Sequence, residues 1–197
     1  SISKKDSLII LSNKNNYLST YNLSETEKKY IRKKEIKKEE IIEINQFERK
    51  LFIVNPKKII NQNLHAENCR LIGDQLIDKI KNLKHITIIN EKKNQSELIQ
   101  IVEGMALSNY QFTKHKTKSN KHLLDTIYIY KYNENQQLNE LENIINAVYF
   151  TRDMINEPFS HLNAKQLANE AIKSGEKYNY KVTVFNKKKI ENLKMGG

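Results

Sequence analysis

The sequence predicts an α/β fold, a mixed sheet covered by helices on both faces. Short β-rich apolar runs alternate with long amphipathic stretches, and the long stretches space their apolar residues for one helical face. No internal repeat or low-complexity linker interrupts that alternation. At 197 residues the chain is long enough for one large domain, or for one domain and part of a second. With 38% hydrophobic and 29% charged residues it is a globular rather than a disordered sequence, and the absence of Trp points to a lean core.

The elements follow in order. Ser7 to Leu11, SLIIL, has the length of a strand. Ser24 and Glu27 form a Ser-x-x-Glu capping box that starts a helix running to about Lys34. EEIIEINQF and KLFIVN are β-rich runs separated by the charged break Glu48-Arg49-Lys50; they read as a hairpin, closed by Pro56. Cys69, Ile72, Leu76 and Ile80 define a helix over about Asn63 to Leu83, and HITII, His85 to Ile89, is the next strand. A second long helix is expected from about Ser96 to Phe112, and LLDTIYIY, Leu123 to Tyr130, is another strand. A third helix, Gln136 to Asn156, stops because Pro158 disfavours helical geometry at Glu157. Asn163 with Gln166 then caps a helix reaching about Lys173, Gly175 supplies its stop, and YKVTVF restarts strand structure. This fresh β/α rhythm places a domain boundary near residues 150–160.

Several functions are excluded or disfavoured. The single Cys69 cannot form an internal disulfide, lies on a core stripe and reads as a packing thiol. The His-x-Glu pair in HAENC lacks the Pro-Cys-x-x-Cys partner a zinc deaminase needs. His65, His85, His115, His122 and His161 have no metal-ligand spacing, and His115 and His122 sit in a basic polar loop where they are expected to be solvated. There is no Gly-x-Ser-x-Gly, Walker loop or dinucleotide fingerprint, and the five glycines, at 73, 104, 175, 196 and 197, do not make a phosphate-cradling loop. No apolar run approaches the roughly 18 residues that span a bilayer. A cytoplasmic chain lacking its true start is the expectation, since the opening has neither Met nor a signal-peptide pattern. The net charge of +11 favours polyanions non-specifically, while EKKYIRKKEIKKEE interleaves both signs in the manner of a solvated helix.

The joint TRDMINEPFSHLNAKQLANEA, followed by YKVTVFNKKKIENLKMGG, resembles the segment by which leucyl (cytosol) aminopeptidases leave their N-terminal domain and enter the catalytic one. Arg152, Asp153, Asn156, Glu157 and Pro158 match the family's Arg-Asp-x-x-Asn-Glu-Pro, and Met195 and Gly196 match the later Met-Gly. A second patch, EGMALSNYQF, is similar to a family helix through Glu103, Gly104, Leu107, Tyr110 and Phe112. The family's Thr-Pro at the helix cap is Asn163-Ala164 here, which keeps the capping oxygen and loses the rigid first turn. These matched residues read as architecture: Gly104 thins a helix face for close packing, and Asn156 and Glu157 bond helix-end groups where the chain turns.

The resemblance implies a macro-domain-like N-terminal domain over 1–135, a connecting helix over 136–158, and the beginning of a truncated catalytic domain over 159–197. It implies a parent enzyme that releases N-terminal residues from peptides with two divalent ions, manganese or zinc, and that assembles as a homo-hexamer. The family's metal ligands lie in motifs such as Asn-Thr-Asp-x-Glu-Gly-Arg, which this sequence lacks. The chain itself is therefore expected to carry no catalytic, metal or cofactor residue and to be inactive. The alternative is a basic macro-like module contacting nucleic acid or a partner protein, although no recognition motif for nucleic acid is present.

Overall fold

A computed structural model describes residues 3, 5–12, 20–92, 94–117 and 122–195. The chain divides into two units, Ser1–Tyr149 and Phe150–Gly197. The first contains strands β1 (Leu8–Leu11), β2 (Ile41–Asn45), β3 (Lys50–Val54), β4 (His85–Asn90) and β5 (Thr126–Ile129), with helices α1 (Glu25–Ile36), α2 (Gln62–Ile80) and α3 (Gln95–Ser108) between them. Helix α4 (Asn135–Asn156) follows, then α5 (Ala164–Tyr178) and α6 (Lys187–Asn192).

The five strands form one mixed sheet in the order β2-β3-β1-β4-β5. β1 lies at its centre, parallel to β3 and β4, and β5 is parallel to β4. Only β2 runs antiparallel, because it is joined to β3 by the short connection through Gln46 and Arg49. A strand covered on both faces must be apolar throughout, and all four residues of β1 are buried. Ile9 and Leu11 point into one core with Phe52, Val54, Ile86 and Ile88, facing α2 and α3. Leu8 and Ile10 point into a second core with Ile42, Ile44, Leu51, Ile53 and Ile31 of α1.

Local chemistry sets the helix starts. Ser24 and Glu27 make the reciprocal capping box at α1, and Asn163 and Gln166 make its counterpart at α5. The Cys69, Ile72, Leu76 and Ile80 stripe is buried along its length. Burial raises the Cys69 thiol to about 11, with the Glu97 carboxylate adding to the shift.

Four details differ from the sequence reading. Arg49, inside the expected charged break, is buried: its guanidinium donates to the Tyr21 carbonyl oxygen at 2.6 Å and to Gln46 Oε1 at 2.7 Å. Helix α3 ends at Ser108, so Tyr110 and Phe112 lie beyond it. Helix α5 passes through Gly175 and stops at Asn179, whose φ of 57° is left-handed. Gly175 is buried because the chain folds back on it, leaving a would-be Cβ 2.6 Å from the Tyr180 carbonyl oxygen. YKVTVF forms no strand, since among the described residues no other strand lies beside it to complete a ladder.

Candidate functional site

The residues of the EGMALSNYQF patch build one seam in the first unit. Gly104 faces α2: a Cβ there would fall 2.1 Å from the Arg70 carbonyl oxygen. Gly73 on α2 reciprocates, its would-be Cβ lying 2.3 Å from the Ile101 carbonyl oxygen. Two glycines thus bring the helix backbones into contact, and the sequence reading had singled out only one of them. Beside this contact Glu103 accepts from Arg70 Nε at 2.8 Å, locking α3 against α2. Leu107 packs on the main core. Tyr110 meets Tyr149 of α4 edge to face at 5.1 Å, and the Tyr149 hydroxyl donates to the Ala106 carbonyl oxygen. Phe112 lies 5.7 Å from the His115 ring. His122 is not simply solvated, because its Nδ1 lies 3.0 Å from Asn109 Oδ1.

The joint lies in the second unit and consists of helix-end bonding. Asn156 Nδ2 donates to the Arg152 carbonyl oxygen at 2.8 Å, and the Glu157 amide donates to the Asp153 carbonyl oxygen at 3.0 Å. The Pro158 carbonyl oxygen then accepts from the amides of His161 and Leu162, turning the chain into the Asn163 cap. Met195 follows α6 and is exposed, while Gly196 lies outside the described residues.

A polar cluster not anticipated from the sequence occupies the carboxyl ends of β3 and β4. Glu97 is the one buried carboxylate among the described residues. Its oxygens are 2.9 Å from Lys92 Nζ and 3.1 Å from His65 Nε2, while His65 Nδ1 is 3.1 Å from the Lys57 carbonyl oxygen. Next to it Glu40 accepts from the Lys57 amide at 2.7 Å and from Asn68 Nδ2 at 2.8 Å. Burial alone would raise the Glu40 carboxyl, but these donors outweigh it and hold it below the usual carboxylate range. The one local sequence signal was Asn94 with Glu97 three positions on, a helix-start pattern. Glu97 departs from it by turning its side chain toward Lys92 and His65.

No protein-family profile matches the chain. Curated relatives do. The probable cytosol aminopeptidase of Sulfurihydrogenibium sp. (strain YO3AOP1) is 31% identical over 139 residues, covering 64% of this chain and 28% of that protein. That of Fusobacterium nucleatum is 29% identical over 185 residues, covering 82% of this chain and 37% of its own length. That of Chloroherpeton thalassium is 52% identical over a stretch of 46 residues, 23% of this chain and 9% of its own length. The chain thus spans only about a third of the length of the curated relatives it matches over most of its own. Among solved structures, a mutant of tomato leucine aminopeptidase shares the fold with a TM-score of 0.70 at 14% identity, covering 97% of this chain and 44% of that one. The bottromycin maturation enzyme BotP in complex with Mn gives 0.66 at 10% identity, covering 96% and 40%. By sequence the chain is thus related to the cytosol aminopeptidases, and its fold is that of a solved leucine aminopeptidase.

Proposed function

We propose that this chain is the N-terminal, non-catalytic portion of a leucyl aminopeptidase, an exopeptidase that releases N-terminal residues from peptides. The observation that carries this reading is one of proportion: the Sulfurihydrogenibium relative matches 64% of this chain, yet the match takes up 28% of that protein. On this reading residues 1–135 form a macro-like domain, 136–158 the connecting helix and 159–197 the beginning of the catalytic domain. Supporting it, the family-pattern residues Glu103, Gly104, Arg152, Asn156, Glu157 and Pro158 sit at helix contacts and helix ends. The parent's cytoplasmic location and hexameric assembly are carried along as expectations of the same reading.

A parent of this kind employs divalent metal ions, manganese or zinc, which supply a Lewis acid and an activated water. Glu97, the buried carboxylate of the first unit, does not suit such an ion. It already faces the Lys92 ammonium at 2.9 Å, and the two side chains are each only 8% exposed. A metal would have to displace that ammonium and leave it unpaired, which costs several kcal/mol. No step of the peptidase reaction is therefore assigned to this polar cluster.

The reading is tested by the gene and by assay. The reading frame containing this sequence should continue into the Asn-Thr-Asp-x-Glu-Gly-Arg motif, and the 197-residue chain should not hydrolyse leucine amide with added manganese or zinc. Metal-dependent, chelator-sensitive turnover by the chain alone would overturn it.

A further inference from the structure

At the carboxyl ends of β3 and β4 lies a cleft of about 700 Å³, within the range of ~300–1,000 Å³ common for small-molecule sites. Its place in the topology is distinctive. The helix following β1, α1, packs on one face of the sheet, whereas the β3-α2-β4 crossover passes over the other. The helices that follow the neighbouring strands β1 and β3 therefore lie on opposite faces of the sheet, the arrangement that opens a ligand crevice in α/β sheets.

The lining combines an apolar floor with a cationic rim. Ile42, Ile53 and Pro56 form the floor, and Lys38, Lys57, Lys58 and Lys92 surround it. Two of these ammonium groups are committed, Lys92 to Glu97 at 2.9 Å and Lys57 to Glu40 at 3.4 Å. Among the described residues Lys38 and Lys58 have no ion-pair partner, although both line the cleft. The carboxylates on the same walls do not cancel them. Glu39 is held by Lys34 at 2.8 Å, Glu97 by Lys92 and His65, and Glu35 is itself engaged. The start of α3, capped by Asn94, borders the cleft and adds the partial positive charge of a helix N-terminus.

We propose that this cleft binds a small phosphate monoester with an apolar body, its phosphate between Lys38 and Lys58 and its body on Ile42, Ile53 and Pro56. A phosphate monoester carries about −1.5 to −2 charges at neutral pH, which suits two unneutralised ammonium groups. The absence of a glycine-rich phosphate loop is no obstacle, because here side chains rather than backbone amides supply the donors. This inference is independent of the peptidase reading.

The experiment titrates the isotope-labelled 197-residue chain with phenyl phosphate, with inorganic phosphate and with phenol, following backbone amide shifts at physiological salt. Phenyl phosphate should give saturable shifts centred on Lys57, Lys58 and Asn94 with a Kd of about 1 mM or tighter. Inorganic phosphate should move the same amides more weakly, and phenol should leave them in place. Lys58→Ala combined with Lys38→Gly should weaken phenyl phosphate about tenfold or more, since each hydrogen bond to a charged group contributes on the order of 1.5–3 kcal/mol. Glycine is chosen at Lys38 because its φ of 57° suits glycine, so the fold is retained. The proposal is overturned by shifts that do not saturate, by equal binding to the double variant, or by shifts scattered over the whole basic surface.

Discussion

At Gly104 a methyl group has nowhere to go, because the clash is with the backbone of α2 and not with the end of a flexible side chain. Gly104→Ala should therefore destabilise the chain by about 1–3 kcal/mol, the usual cost of overpacking, read as a lowered urea midpoint with an unchanged slope. Gly73→Ala should do the same, and the double variant should lose less than the sum, because both methyls force apart the same pair of helices. Cys69 makes a different prediction. Its pKa of about 11 in the fold exceeds that of an unfolded thiol, so the unfolded chain loses its proton first as pH rises. Cys69 thus contributes stability that is full below pH ~8.5 and is lost progressively toward the folded value. Burial also raises the Tyr21 hydroxyl, which donates to Glu91 at 2.7 Å, and this acts in the same direction. Urea midpoints should fall between about pH 9 and 11, with a smaller fall in Cys69→Ala. A native thiol that reacts with a disulfide reagent at pH 8 as fast as the unfolded one would contradict this account. The stripe that buries Cys69 was readable from its spacing, whereas the His65, Glu97 and Lys92 cluster was not. His65 and Glu97 are 32 positions apart and meet only because α2 and α3 pack side by side.

Helix starts were more legible than helix ends. Ser24 and Asn163 cap through bonds to groups two or three positions away, so the pattern is local and the sequence suffices. The end of α5 depends on what lies against it. Gly175 reads as a stop in isolation only because glycine often ends helices; here it stays helical to let Tyr180 and Val182 approach, and Asn179 takes the left-handed turn. Asn179→Ala should cost about 1 kcal/mol, because an L side chain without Asn's local hydrogen bonding is penalised in that conformation. Asn179→Gly should be neutral or stabilising. Amide exchange at Tyr180, whose N–H donates to the Gly175 carbonyl oxygen at 2.9 Å, reads the difference directly. The YKVTVF run shows the complementary limit. Its β-branched and aromatic residues favour a strand, but propensity cannot replace the ladder partner that a strand requires.

The division into Ser1–Tyr149 and Phe150–Gly197 gives the two units separate prospects. The first has two apolar cores on either side of a five-stranded sheet. In the second, Phe159, Tyr178, Val184, Leu193 and Met195 are all exposed, and of α5 and α6 together only Gly175 is buried. A segment with so little buried apolar area opens at low free-energy cost. Limited proteolysis should therefore cut first within residues 180–186, which have no regular structure, and should leave a resistant product that retains the sheet. Early cleavage between α2 and α3 would contradict this. By itself the sequence determined the α/β class, the order of elements through α4, the two capping boxes and the kinship with leucyl aminopeptidases. Each of these is carried by short-range patterns: apolar spacing, caps, and residues a few positions apart in a motif. Only the tertiary structure decided that β1 is the central strand, that Gly73 and Gly104 meet across a helix crossing, and that four lysines from three separate segments ring one cleft. Those are contacts between residues distant in the chain, selected by which faces can be buried together, and no local spacing encodes them.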